Sequence, residues 1–288
     1  MSDQRILSYY QDNVKNIVSD DELTNKNGYI FGIIGGSGFY DFFEDNAKEE
    51  IVTTPFGKAK ILVGESNGNK TFFLQRHGAG HKTPPHMINN KANIYALWLK
   101  GVTHIISTSA VGSLGQYQPG EFVILEQFVD FFSSPTTFFD GTFTAEGRFK
   151  KSGVVHTDYT YPYCPSINAT LLTIGEELGL PVKNGGIYIK AWGPRFETPA
   201  EIQIMKKNNW GNVVGMTNPT EAILARELEM HYSTIAIVTN LAAGISTERI
   251  THLEVLDIFK DAKPKIKELL RKTIVFHPYP ETCNTFSS

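Results

Sequence analysis

Residues 30–38 read Ile30-Phe31-Gly32-Ile33-Ile34-Gly35-Gly36-Ser37-Gly38, an apolar run that breaks into a glycine-rich turn. Ile30 to Ile34 predicts a strand buried on both faces, as in parallel sheets. Gly35, Gly36 and Gly38 permit positive φ and a close approach of backbone to ligand. Exposed N–H groups in such a turn form an anion nest, and the Ser37 hydroxyl adds a donor. A plain strand-to-loop turn accounts for the glycines equally well. The stretch is no Walker loop, lacking Gly-Lys-Ser/Thr, and no dinucleotide fingerprint, lacking the third glycine at its spacing. A small oxyanion such as free phosphate fits it better than a dinucleotide.

The same unit of apolar strand, polar loop and helix recurs outward from this stretch. Runs 59–63 and 71–75 flank Ser66-Asn67-Gly68-Asn69, a hairpin signal, after a turn at Thr54-Pro55-Phe56-Gly57. Strands are expected from His104, running into small polar residues by Ser113, and at Glu121–Asp130, Gly185–Ala191, Asn212–Met216 and Ser233–Thr239. Helices are expected at Asn90–Lys100, 166–179, from Pro199, after Thr217-Asn-Pro-Thr-Glu221 to about 229, and at Thr251–Thr273. Residues 131–153 read as a long aromatic-rich loop. The pattern argues for one α/β domain with a mostly parallel sheet covered on both faces. The boundaries read as an amphipathic helical extension over 1–28, a main domain over 29–276 and a loose tail over 277–288. In such sheets ligands sit at the carboxyl ends of the strands.

With 288 residues, the chain is long enough for a sizeable core, and 41% hydrophobic with 20% charged residues is ordinary for a soluble globule. A net charge of −3 gives no reason to expect nucleic acid or an anionic membrane as partner. No apolar run reaches membrane-spanning length, and the N-terminus carries no signal-like apolar stretch. The two cysteines, Cys164 and Cys283, lie far apart without metal spacing, so a reducing cytoplasm is the simplest expectation. No metal is expected, since His77, His81 and His86 lack an evident carboxylate or thiol partner.

Ser37, Arg76, His77, Ser109, Ala110 and Thr217 each follow an expected strand and form a candidate anion set. Arg76 could grip a phosphate bidentately while hydroxyls and backbone N–H groups donate. Taken singly, a hydroxyl there is ordinarily a helix cap, and an Arg-His pair a solvated loop.

Taken together, Gly35-Gly-Ser-Gly38, Arg76-His77-Gly78, Ser109-Ala110-Val-Gly-Ser113, Gly193-Pro-Arg-Phe-Glu-Thr198, Met216-Thr217 with Glu221-Ala222, and Thr239-Asn240-Leu-Ala-Ala-Gly244 resemble the trimeric purine nucleoside phosphorylase and methylthioadenosine phosphorylase family. The likeness runs in order over about residues 30–275. It implies a three-layer α/β/α nucleoside-phosphorylase fold with a mixed, partly barrel-like sheet. It also implies a homotrimer, a pentosyltransferase activity with phosphate as co-substrate, and neither cofactor nor metal.

By the same resemblance, Ser37, Arg76, His77, Ser109, Ala110 and Thr217 hold phosphate. Phe196 packs on the nucleoside, Met216 lies under the ribose, and His156 approaches the 5′ end, often across a subunit interface. Asn240, Thr217 and His77 are the residues expected to act in catalysis. The sequence departs from the family's Met-Thr-x-x-Pro-Glu by reading Met-Thr-Asn-Pro-Thr-Glu, which bears on the local loop path. Relatives that cleave methylthioadenosine resemble one another in an Asp at position 240 and a second two residues on. This chain has Asn240 and Ala242. Asn offers a donor for O6 and an acceptor for a protonated N7, and Glu197 matches the Glu that accepts from N1–H. The pair suggests a 6-oxopurine nucleoside: inosine, guanosine or S-methyl-5′-thioinosine. Alternatively Glu197 is a carboxylate beside Pro199 at a helix N-terminus. A methylthioadenosine phosphorylase is the alternative within the class. A non-catalytic purine-nucleoside binding protein and a nucleoside hydrolase are alternatives outside it.

Overall fold

The computed structural model describes residues 29–36, 42–43, 47–78, 80, 82–131, 136–141, 155–246 and 252–277. Nine strands form one sheet: β1 (Phe31–Gly35), β2 (Lys48–Thr54), β3 (Gly57–Ser66), β4 (Asn69–Gln75), β5 (His104–Ser113), β6 (Phe122–Val129), β7 (Val182–Lys190), β8 (Val213–Gly215) and β9 (His231–Leu241). The helices are α1 (Asn90–Leu99), α2 (Pro165–Glu177), α3 (Pro199–Lys207), α4 (Asn218–Glu227) and α5 (His252–Phe276). The strand order is β2-β3-β4-β1-β5-β8-β7-β6-β9, and β9 also pairs with β5. That last pairing closes β5, β8, β7, β6 and β9 into a small barrel, with the other four strands extending from β5 as an open wing.

The sheet is mixed, not mostly parallel. β1 runs parallel to β4 and β5, β5 to β9, and β7 to both β6 and β8. The wing hairpins and the closing pairs β5–β8 and β6–β9 are antiparallel. The sequence misses this because hydrophobic pattern reports burial, not direction. The wing strand β2 escaped notice because four of its seven residues are exposed. The Asn67-Gly68 hairpin is as expected: both residues have positive φ, 49° and 76°, as a two-residue primed turn requires.

β1 shows why an uninterrupted apolar run is needed. Phe31 and Ile33 pack on one face among residues of α2 and α5, including Leu171, Ile266 and Leu269. Ile34 packs on the other with Leu97 of α1 and Leu224 of α4. Every β1 residue is buried, so alternation of side chains gives hydrophobes to both layers. Gly32 is glycine because a Cβ there would stand 3.0 Å from Val102 Cγ1. None of the helices of the described residues is long and apolar enough to cross a membrane. The expected helical extension over 1–28, and the expected tail over 277–288 apart from its first residue, lie outside the described residues. His277, which the sequence reading put in the tail, is buried and its Nδ1 lies 2.9 Å from Thr170 Oγ1.

At the edge of the barrel opposite the strand carboxyl ends, His104 opens β5 and stacks on His231, which opens β9, at 4.5 Å. His277 meets His104 edge-on at 5.4 Å. Burial, with help from the neighbouring histidines, lowers His104 to about 2 and His277 to about 3. Both are therefore neutral in the folded chain at every ordinary pH, while the unfolded chain protonates them near 6.5. The unfolded state binds more protons below that value, so stability is fully present above pH 6.5 and falls as pH drops. Urea titrations should show a loss of about 1.4 kcal/mol per pH unit for each histidine between pH 6 and pH 4. His277→Phe should remove about half of that slope; an unchanged slope would contradict the assignment.

Candidate active site

Of the described members of the anion set, Ser109 and Ala110 lie within β5 and do not follow it, and Arg76 is the most constrained. It follows β4 directly and is only 3% exposed. A buried guanidinium needs a counter-charge and a partner for nearly every N–H. Glu221 of α4 supplies the charge: Nε donates to Oε1, and Nη2 donates to Oε2 at 2.8 Å. Nη2 also donates to Ser107 Oγ at 2.5 Å and Nη1 to the Thr108 carbonyl at 2.9 Å. Burial works against the charge, but Glu221 outweighs it and holds the guanidinium above its ordinary pKa. This corrects the sequence reading of Arg76 as a free bidentate grip, because its fork is filled by Glu221. What remains is the Nη1 edge, which lies 3.1 Å from where a Gly36 Cβ would stand. Arg76 thus presents that edge to the glycine turn.

Glu221 anchors a wider buried network. Its Oε2 accepts from Ser107 Oγ at 3.1 Å and from the Tyr232 hydroxyl at 2.8 Å. Burial raises Tyr232 well above its ordinary pKa, so it stays a donor. Asn218 Nδ2 donates to Tyr232 Oη at 3.1 Å and to Thr234 Oγ1, and Asn218 Oδ1 accepts from Tyr163. The displaced proline has a simple outcome here. Pro219 sits in the first turn of α4, where its missing N–H costs nothing, and Asn218 is freed to join the network. Sequence reading quoted Glu221 only as part of a motif and did not single out Ser107, Tyr188 or Tyr232. A buried Arg demands a carboxylate, but nothing in the sequence says which one.

Thr217 is the N-cap residue of α4, yet its hydroxyl makes no capping bond. Its backbone N donates to Tyr188 Oη at 3.2 Å, and the Ser109 hydroxyl also hydrogen-bonds Tyr188. The phenol therefore draws Ser109 and Thr217 together, with the Thr217 hydroxyl uncommitted at the positive end of a helix. Gly215 lets the phenol in, since a Cβ there would lie 2.2 Å from Tyr188 Oη. His77 is buried and donates from Nδ1 to the Thr83 carbonyl at 2.8 Å. Ala110, partly buried, follows Ser109 on β5. Ser37 lies outside the described residues.

The second cluster lies at the end of β9. The β5–β9 register shifts between Val111 and Gly112, so Val238 pairs with Val111 but Asn240 with Gly112. Such a bulge re-aims the next side chain. Asn240 Oδ1 accepts from Thr239 Oγ1 at 2.9 Å, and Nδ2 donates to the Leu241 carbonyl at 2.9 Å. Reversing the amide would face its oxygen to that carbonyl, so the network fixes the ends. One N–H and one lone pair are left over.

Glu197 is 9% exposed. Its alternative role as a helix-end carboxylate is taken by Glu201, which forms a capping box with Thr198 at 2.7 and 3.2 Å. Arg195 clamps Glu201 at 2.8 and 2.9 Å. Burial raises the Glu197 carboxyl above its usual pKa, Glu201 adds to this, and Arg195 opposes it. Gly244, at φ 77°, brings the two loops together: a Cβ there would stand 2.7 Å from Pro199 Cβ. Gly193 does the same for Met216, whose Sδ would be 2.5 Å from a Cβ. Phe196 is 46% exposed. A cavity of about 440 Å³ reaches Glu197 from the α3 side, between Trp192, Met205 and Trp210. Asn240 and Met216 do not line it.

His156 is exposed. The segment after it packs on the far half of α4, through Tyr159 Oη to the Ile223 carbonyl at 3.1 Å and Arg226 Nε to the Asp158 carbonyl at 3.3 Å. Thr217 stands at the other end of that helix. Among the described residues no group of three or more His, Cys, Asp and Glu is placed to hold a metal ion.

The model of the Phosphorylase superfamily matches residues 30–275, and the chain belongs to that superfamily. It is 49% identical over 253 residues to the 6-oxopurine nucleoside phosphorylase of Pyrococcus furiosus, covering 87% of this chain and 94% of that protein. It is 39% identical over 255 residues to a probable S-methyl-5′-thioinosine phosphorylase of Methanopyrus kandleri, covering 88% and 94%. Among solved structures it resembles the methylthioadenosine phosphorylase of Schistosoma mansoni in complex with adenine. The TM-score is 0.77 at 32% identity, with 85% of this chain and 90% of that chain covered.

The close approaches predict unequal costs for glycine substitutions. Gly120→Ala, at φ 93° with open space around it, should cost about 1–2 kcal/mol from strain alone. Gly244→Ala adds the Pro199 collision, about 1–3 kcal/mol more. Equal denaturant midpoints for the two variants would contradict the loop contact.

Proposed function

We propose that this enzyme is a 6-oxopurine nucleoside phosphorylase, using phosphate to cleave the N-glycosidic bond and giving free base and a ribose 1-phosphate. The carrying observation is Asn240, whose fixed amide keeps one donor and one acceptor. The donor meets O6 and the acceptor meets a proton on N7. Glu197, spared from helix capping, accepts from N1–H. Relatives named for 6-oxopurine and methylthioinosine substrates support the reading. The structural neighbour crystallised with adenine argues for fold, and Asn240 with Ala242 departs from the paired Asp that methylthioadenosine phosphorylases resemble one another in carrying.

Phosphate sits between the glycine turn with Ser37, the Arg76 Nη1 edge, His77, Ser109, Ala110 and the Thr217 hydroxyl. One of its oxygens bonds to C1′ as the C1′–N9 bond breaks and the electron pair leaves with the purine. Asn240 stabilises the charge that develops on the base, and solvent supplies the N7 proton. Oriented donors of this kind contribute about 3–4 kcal/mol each to a transition state. Phe196 and Met216 pack on base and ribose. These groups read base and phosphate only, so inosine, guanosine and S-methyl-5′-thioinosine are all substrates on this reading. His156 reaches the 5′ end of a neighbouring subunit's substrate, in a cytoplasmic homotrimer serving purine salvage; residues 1–28 and 278–288 flank the domain.

Base release from inosine, guanosine, adenosine, methylthioinosine and methylthioadenosine should be strictly phosphate-dependent. Equal release without phosphate would indicate a hydrolase, and no release a binding protein. Mismatching buried polar groups costs about 1–3 kcal/mol each, so oxo over amino preference should be about 10- to 10⁴-fold in kcat/KM. Asn240→Asp should shrink it. Faster cleavage of the adenine member of each pair would overturn the base assignment. Light scattering should give three times the 32.1 kDa chain mass, and a fully active monomer would exclude the shared site.

A further inference from the structure

We propose that Glu221 is the resident counter-ion of the phosphate site, a positioning residue that aims Arg76 and sets how tightly phosphate binds. The inference rests on the phosphate reading given above. Phosphate meets a guanidinium whose Nε and Nη2 are already engaged by a carboxylate. The side chains of that pair are 1% and 2% exposed, so water screens the interaction little. Every oxygen contact of Glu221 faces inward. Oε1 takes Arg76 Nε, and Oε2 takes Arg76 Nη2, Ser107 and Tyr232. Glu221 is itself only 2% exposed and its hydrogen bonds run to Arg76, Ser107 and Tyr232, so it acts on the anion through Arg76.

Two effects follow, and they pull in opposite directions. The carboxylate holds the Nη1 edge toward the glycine turn, which favours phosphate. It also cancels the positive charge that phosphate would otherwise meet, which weakens binding. Phosphate is a substrate that must enter each turnover, and its ester must leave, so a neutralised guanidinium keeps the site reversible. The free Thr217 hydroxyl and the N-terminus of α4 then supply attraction without a second full charge.

Charge and geometry separate in two variants. Glu221→Gln removes the charge with little change of shape, and Glu221→Asp keeps the charge but shortens the reach. The readout is thermal unfolding against inorganic phosphate, and separately against sulfate, with phosphate KM and kcat alongside. Restoring a unit charge a few ångströms from the anion should lower the half-saturating phosphate concentration of Glu221→Gln by at least about tenfold. Its melting temperature should drop without phosphate and recover with it, because the bare guanidinium is then unpaired only in the empty site. Phosphate KM should fall with it. Glu221→Asp should bind phosphate no tighter than the parent. Parent-like half-saturation in Glu221→Gln, tightening in Glu221→Asp, or a Glu221→Gln chain that stays unfolded at saturating phosphate would each overturn the proposal. Parent protein that neither phosphate nor sulfate protects would instead overturn the phosphate reading itself.

Discussion

The buried ion pair between Arg76 and Glu221 is the constraint on which the site depends. It joins the loop after β4 to α4, and through Ser107, Thr108 and Tyr232 it includes β5 and β9. A lone buried charge is costly enough that removing one partner of such a pair typically destabilises by about 3–5 kcal/mol. The chain therefore cannot place Arg76 at a strand end without also fixing where α4 begins. That start is where Thr217 stands with an unused hydroxyl, and Tyr188 ties it to Ser109. Positions that look independent in sequence are one mechanical unit.

The cluster at the end of β9 is held differently, by close packing and not by charge. Gly193 admits Met216 and Gly244 admits Pro199, each at a distance no side chain would allow. The bulge in the β5–β9 ladder turns Asn240, and Thr239 with the Leu241 carbonyl sets its amide. Across the barrel, the stacked His104 and His231 with His277 close the opposite edge. The candidate site and the buried histidines thus stand at opposite ends of β5 and β9.

Much of this was legible in the sequence. The apolar run at 30–34, the Asn67-Gly68 turn and the Pro199 start of α3 follow from local rules of burial, positive φ and helix-start preference. Resemblance supplied the mixed, partly closed sheet, which local pattern had misread as mostly parallel. Long-range pairing is what local reasoning cannot see. Nothing near Arg76 announces Glu221, whereas the Thr198-x-x-Glu201 spacing beside Glu197 is a local capping-box signal.

A crystal structure with phosphate and hypoxanthine bound tests the central claim most directly, that strand-end loops build one anion site beside one 6-oxopurine reader. The account predicts phosphate against Arg76 Nη1 and the Thr217 hydroxyl, with Asn240 at O6 and N7 and Glu197 at N1. Phosphate seated away from Arg76, or hypoxanthine bound without contact to Asn240 and Glu197, would contradict it.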